Sequence, residues 1–157
     1  MRYVRKEYNI EIGALTAESV KIKIGSALKR DIEVAVVAKG RNVFSGLPES
    51  FEISSGEGDE AIIDTVDVIC NAIRQVLNRT APDFLADITE DGMYLTGGGA
   101  LLSGMAEKLE KYLGIPVHML EDPTHSVVKG AAVALKNPGL LKNVDYQMRS
   151  IKELAVE

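Results

Sequence analysis

Met93-Tyr94-Leu95-Thr96-Gly97-Gly98-Gly99-Ala100-Leu101-Leu102 is the stretch from which the rest of the chain can be read. A short apolar run, the signature of a buried strand, breaks off into three consecutive glycines and then passes into an amphipathic helical pattern. Removing three side chains where a strand ends lets another molecule approach the main chain closely and leaves amide groups and a helix N-terminus open to it. Two readings fit: a tight βα turn, or a loop that touches a nucleotide. Three glycines directly after a strand favour the second. A dinucleotide G-x-G-x-x-G starting at Gly97 would need glycine where Leu102 stands, and no Gly-Lys-Ser/Thr follows to make a phosphate loop of the P-loop type.

Downstream, Leu101, Leu102, Met105, Leu109, Tyr112 and Leu113 lie on one helical face that runs on from the glycines, and Gly114 is a natural stop. Ile115 to Met119 reads as a second strand. Asp122-Pro123-Thr124 reads as a helix entry, and Val127, Val128, Ala131, Ala132 and Leu135 as the buried face of a last packed helix that Pro138-Gly139 ends. Upstream, Ile62, Val66, Ile69, Ile73, Val76 and Leu77 recur at spacings of three and four, which predicts a long helix from Asp59 to Arg79. Acidic residues sit near its start and Arg74 and Arg79 near its end, as the helix dipole favours. Residues 59–137 therefore alternate α, β, α, β, α, the rhythm of a parallel α/β layer. Two strands alone make a poor sheet, so this half reads as lacking partner strands.

The first 58 residues have another texture. Ile32, Val34 and Val36 alternate with Asp31, Glu33 and Ala35, and Phe51 and Ile53 flank Glu52, which predicts two antiparallel strands. Lys39-Gly40-Arg41-Asn42 and Ser45-Gly46-Leu47-Pro48 are the turn-rich link. Val20 to Ile24 alternates like a strand, yet Ala17, Val20, Ile24, Ala27 and Leu28 also form a helical stripe; Thr16 as N-cap and Glu18 in the first turn favour helix. The expected organisation is a small α+β subdomain with a leading helix over 1–58, a larger α/β subdomain over 59–137, and a C-terminal tail over 138–157 that is either a docked terminal helix or exposed.

Composition excludes several classes. With 46% hydrophobic and 26% charged residues, 157 residues can bury a real core. A net charge of −5 and dispersed Lys and Arg argue against a nucleic-acid partner. No run has the length of a transmembrane helix and the N-terminal residues lack a signal peptide, so the expected location is cytoplasmic, with no direct membrane anchor in this chain. Cys70 is the single cysteine; on the apolar stripe it reads as core, not as a nucleophile. His118 and His125 have no zinc-like spacing with Cys or carboxylates, so no metal site is expected. No catalytic Ser, His and Asp set announces itself either.

With these residues in hand, the chain resembles the C-terminal half of the MreB family, bacterial actin-like proteins of the actin, Hsp70 and hexokinase superfamily. The resemblance covers roughly residues 2–137. It rests on Tyr3-Val4-Arg5, Ile12-Gly13, Thr16-Ala17-Glu18 with Lys21, and Ile24-Gly25-Ser26-Ala27. It continues through Gly40-Arg41-Asn42, Gly46-Leu47-Pro48, Ile53-Ser54-Ser55, Leu95 to Leu102, Gly114-Ile115-Pro116-Val117 and Glu121-Asp122-Pro123. The fold so implied is the C-terminal half of an actin-like ATPase: a partial sheet flanked by helices, plus the small α+β subdomain.

The resemblance implies a cytoskeletal protein that polymerises with ATP beneath the inner membrane and supports rod shape. Its partners would be other copies or full-length subunits in a filament, and the cell-wall elongation machinery. It further implies that Glu18 and Lys21 hold the nucleotide sugar, that Gly97, Gly98 and Gly99 form the adenosine loop with Ala100 and Leu101 beside the base, and that Thr124 lines the adenine pocket. From spacing alone, Glu18 and Lys21 also read as a solvated helical ion pair. The two phosphate loops of the superfamily have no counterpart here. ATP or ADP is therefore the implied cofactor, with Mg²⁺ held mainly outside this sequence, and no catalysis is expected of the chain itself. The expectation is a fragment, a truncated product or a separately expressed lobe. Ala14, where the family usually carries Glu, and Ala131-Ala132, where a glycine-containing pair is common, depart from the pattern. The competing readings are the corresponding lobe of a superfamily kinase or Hsp70-type chaperone, and a scaffold domain that does not bind nucleotide.

Overall fold

The computed structural model describes residues 1–137 and Gly139. Apart from Gly139, the tail expected over 138–157 lies outside the described residues. In chain order come α1 (Arg2–Tyr8), β1 (Ile10–Glu11), α2 (Ala14–Ile24), β2 (Ala35–Asn42), β3 (Pro48–Ser54), α3 (Ser55–Leu77), α4 (Pro82–Asp91), β4 (Met93–Leu95), a short 3-10 turn (Gly98–Leu101), α5 (Met105–Leu113), β5 (Val117–Met119) and α6 (Ser126–Lys136). The architecture is α/β, with two sheets.

The first sheet is antiparallel, in the order β1-β2-β3. Ala38 and Phe51 are directly opposite, as are Val36 and Ile53, so one face of the hairpin is apolar and packs under α1 and α2. That core holds Val4, Ile10, Ile12, Ile24, Ala38, Phe51 and Ile53. The strands lie further along the sequence than expected. Ile32 and Val34 precede β2 and are exposed, whereas Lys39 to Asn42 complete the strand. The reversal falls at 43–47, where Asn42 Oδ1 accepts the amides of Phe44 and Ser45 and Gly46 has φ +71°. In α2 the helical reading holds, but Gly13 is the N-cap, not Thr16, and no acidic residue lies in the first turn. Ala27 and Leu28 fall beyond the helix.

A second core, Ala27, Val66, Cys70, Met105 and Leu109, lies between α3 and α5, with Leu95 and Val117 from the strands packed against it. Cys70 is fully buried, and burial pushes its thiol upward. α3 starts four residues before the expected Asp59 because Ser54 and Glu57 make a reciprocal capping box: Glu57 N–H donates to Ser54 Oγ, and Ser54 N–H to Glu57 Oε2 at 2.9 Å. α1 docks on this end of α3 through Tyr8 Oη to Glu57 (2.5 Å) and Tyr3 Oη to Glu60 (3.2 Å).

β4 and β5 pair in parallel, with Tyr94 beside His118. Tyr94 is 66% exposed and His118 beside it is exposed as well, so the side of this two-stranded sheet turned away from α3 and α5 is open. The same openness corrects the reading of α6. Val127, Val128 and Leu135 are 67–78% exposed and α6 has no buried residue. Its apolar stripe is real as a pattern, but no layer among the described residues covers it. On α3, Ile69 and Val76, two of the six residues of the expected stripe, are likewise exposed.

Candidate functional site

The glycine turn leaves β4 at Thr96. Gly97 has φ +83° and ψ 170°, a region that side-chain-bearing residues reach only with strain. Its amide donates to Pro123 O at 2.7 Å. Thr96 Oγ1 donates to the same carbonyl at 3.0 Å and Ser126 Oγ at 3.2 Å, and the two hydroxyls also touch each other. The turn is thereby tied to the start of α6. Gly98 and Gly99 open the 3-10 turn, so their amides lack an acceptor within its ladder. A Cβ placed at Gly97, Gly98 or Gly99 would meet nothing within 4 Å. The packing of this chain does not require bare backbone at Gly98 and Gly99; the space beside them is open to a ligand.

The helix does not run directly from these glycines. The 3-10 turn ends at Leu101, Gly104 takes φ +70°, and α5 starts at Met105, so the α5 N-terminus is set back from the triple glycine. Within the turn, Ala100 is buried and Leu101 is 59% exposed.

Glu18 and Lys21 come together on α2 as an i, i+3 ion pair at 2.7 Å, both about half exposed. Each satisfies the other, and each is open to solvent on its remaining side. Thr124 lies before α6, whose N-cap is His125. Its hydroxyl donates to Asp122 Oδ1 at 3.1 Å and is exposed. The residue missed by sequence reasoning here is Asp122, which gathers Lys129 Nζ (2.7 Å), His125 Nδ1 (2.9 Å) and Thr124. Lys129 above all, then His125, hold its carboxyl well below the usual carboxylate range. The i, i+3 and i, i+7 spacings around Asp122 were visible in the sequence. Their convergence depends on the turn before α6.

Two further residues bring the parts together. Ala27 N–H donates to Ser103 O at 2.8 Å and Ser26 Oγ to the same oxygen at 3.1 Å, in an isolated parallel bridge. Ser103 lies two residues past Leu101, and Gly25 N–H reaches back to Lys21 O at 2.8 Å. The end of α2 that carries Lys21 and the end of the glycine turn thus share one anchor.

Residues 1–143 match the family model described as MreB/Mbl protein. The chain belongs to the MreB/Mbl family. It is 39% identical over 137 residues to the cell shape-determining protein Mbl of Bacillus subtilis (strain 168), covering 87% of this chain and 41% of that one. To the cell shape-determining protein MreB of Escherichia coli (strain K12) it is 40% identical over 136 residues, covering 87% and 39%. Among solved structures, MreB5 of Spiroplasma citri bound to AMPPNP superposes with a TM-score of 0.84 at 32% identity, over 89% of this chain and 42% of that one. The same protein bound to ADP gives the same TM-score and identity. This MreB/Mbl chain therefore spans about two-fifths of the length of the relatives it matches. Its fold is that of part of an actin-like protein, which accounts for the two-stranded parallel sheet and the uncovered face of α6: in an α/β layer both would be packed against further strands and helices. No helix among the described residues is long and apolar enough to cross a membrane.

Proposed function

We propose that this chain is the adenosine-holding part of an actin-like cell-shape filament protein, and that it binds ATP or ADP through its nucleoside. The observation that carries this is the open glycine turn anchored through Ser103 to Ser26 and Ala27, directly after α2, the helix bearing Glu18 and Lys21. The residues fit the group. Gly98 and Gly99 offer bare backbone with room beside it, the exposed Leu101 side chain offers apolar surface to a base, and Glu18 has a carboxylate oxygen to accept ribose hydroxyls while Lys21 adds a donor. Thr124 would meet the base edge after exchanging its Asp122 bond. Support also comes from the AMPPNP- and ADP-bound state of the MreB5 relatives.

A nucleotide supplies this lobe with a ligand that bridges α2 and the glycine turn. The chain's own groups orient the sugar and base. The 157 residues contain no phosphate loop of the superfamily type, so phosphate and Mg²⁺ would be held mainly elsewhere, and we expect no ATP hydrolysis by this chain. Adenosine and ADP should bind almost alike, with affinity on the order of millimolar because few ligand atoms are gripped. Titration calorimetry with adenosine, ADP and Mg-ATP tests this; Glu18→Ala should abolish the signal. Tight, Mg-dependent preference for ATP, or steady phosphate release lost in Glu18→Ala, would overturn it.

For assembly, a head-to-tail filament needs two complementary faces on each subunit. A lobe carrying one of them should not polymerise alone, yet should shorten filaments of a full-length family member from the same organism in a dose-dependent sedimentation assay. Filaments formed by the 157 residues alone would contradict the one-face argument. Indifference of the parent polymer to the folded lobe would favour the scaffold or kinase readings.

A further inference from the structure

Two residues carry the chain from one core to the other. Ile24 is fully buried in the core under the antiparallel sheet, and Ala27, 1% exposed, is in the core between α3 and α5. Gly25 and Ser26 are the whole of the crossing, so it has no slack: both ends are held by packing only three residues apart. Ser26 is itself 2% exposed, and both its amide and its hydroxyl have partners. Its amide donates to Asp59 Oδ1 at 2.7 Å, its hydroxyl donates to Ser103 O at 3.1 Å, and its Oγ accepts Leu28 N–H at 3.3 Å. Arg30 closes the crossing from the other side with a bond to Gly25 O at 3.0 Å.

α3 is the second element that spans both cores. Its Gly58 lies against Ile24, where an added Cβ would come within 3.3 Å of Ile24 Cδ1, while Val66 and Cys70 are in the other core. Asp59 stands one residue after that contact and joins the two crossings to each other. Its side chain is half-buried, and burial pushes its carboxyl upward against the Ser26 bond and the Arg30 charge.

We propose that Asp59 and Ser26 are positioning residues for the nucleotide cleft: with the Ser103 carbonyl they clamp the Gly25–Ala27 crossing and so set the spacing between the Glu18–Lys21 pair and the glycine turn. The proposal rests on the nucleotide reading for its functional consequence, but the clamp itself does not. The lever is short and stiff. Glu18 is six helical residues from Ile24, roughly 9 Å along the axis, so a tilt of about 10° at the crossing displaces it by roughly 1.5 Å, more than a hydrogen-bonded site tolerates. On the other side Leu101 is two residues from Ser103, and Gly104 sits against Leu28, with an added Cβ 3.2 Å from Leu28 Cβ.

The test uses Asp59→Ala, Ser26→Ala and, as the conservative replacement, Asp59→Asn, which keeps an acceptor oxygen. Amide hydrogen exchange at Ser26 and Ala27 is compared with that at Cys70 and Leu109, and spin labels on Ser19→Cys and Glu107→Cys report the spacing of the two cores, Cys70 being fully buried. Adenosine titration reads the cleft. Expected in Asp59→Ala is exchange faster by about tenfold at Ser26 and Ala27 with Cys70 and Leu109 unchanged, a broadened label distance, and adenosine binding weakened several-fold, with Asp59→Asn restoring most of each. Unchanged exchange and an unchanged label distance in Asp59→Ala, or Asp59→Asn behaving as Asp59→Ala, would overturn the clamp. A loosened clamp with unaltered adenosine affinity would overturn its positioning role. If the unsubstituted chain binds no adenosine, the nucleotide reading fails by itself, and the exchange and distance measurements still decide the clamp.

Discussion

Alanine at each position of the glycine turn separates what the fold requires from what a ligand requires. At Gly97 the backbone has φ +83° and ψ 170° and an added Cβ meets nothing within 4 Å, so Gly97→Ala suffers backbone strain alone, about 1–3 kcal/mol. At this chain length that lowers Tm by about 3–9 °C. Gly98 and Gly99 are in the 3-10 turn, have no positive φ, and also face open space. There alanine removes only unfolded-chain entropy, so Gly98→Ala and Gly99→Ala should be neutral or stabilising by about 0.4–1 kcal/mol. Gly92 calibrates the upper end: its φ is +82° and an added Cβ would lie 2.7 Å from Pro116 O, so Gly92→Ala combines strain with a backbone clash and should cost more than Gly97→Ala. Urea denaturation monitored by circular dichroism gives the four values, and adenosine titration on the same samples should show Gly98→Ala and Gly99→Ala losing affinity while keeping stability. If Gly98→Ala or Gly99→Ala loses as much stability as Gly97→Ala, the turn is not open in the way described and the ligand argument built on it fails.

Leu109→Ala, at a fully buried position, should cost about 2–5 kcal/mol, whereas Leu135→Ala on the uncovered face of α6 should change stability by under about 0.5 kcal/mol; chemical denaturation of both decides whether α6 is packed. Removing the cap in Ser54→Ala should cost about 0.5–2 kcal/mol and loosen exchange in the first turn of α3, and equal loss with protected exchange would show that the cap is not the cause. Glu57 is held below its ordinary value of 4.5, chiefly by the Ser54 amide and then by Tyr8; its contribution is therefore complete above that ordinary value and fades as pH falls through the lower folded one, so Glu57→Gln should flatten the acid limb of a stability profile. Burial first, then the Glu60 and Glu57 carboxylates, push Tyr3 and Tyr8 up to about 12, so two of the five tyrosines should form phenolate only near that pH, with the associated stability lost as pH rises between 10 and 12; all five titrating together near 10 would contradict the docking of α1 on α3.

The sequence by itself determined the local and periodic features. The stripe around Val66 and Cys70 marked α3, the run from Met93 to Thr96 into three glycines marked the strand and turn, and Leu109 and Ile53 announced core faces, because period and punctuation are written in neighbouring residues. The capping box at Ser54 and Glu57 was there to be read as well, and it explains why α3 starts before Asp59. α4 was signalled weakly, by Pro82 at its first position. β1 has only two residues, too few for any period, and becomes a strand only because β2 pairs with it.

Other properties exist only in three dimensions. Apolar spacing along α6 could not say whether anything packs on it, since burial of Val127 or Leu135 depends on layers that this chain's described residues do not provide. The Glu18–Lys21 spacing put both groups on one helix face, yet their shared anchor with the glycine turn arises from Ser26, Asp59 and Ser103, residues separated by 33 and 77 positions along the chain. No sequence period spans such distances. The crossing at Gly25–Ala27 brings them together because two hydrophobic cores must be buried three residues apart, and that constraint belongs to the tertiary structure alone.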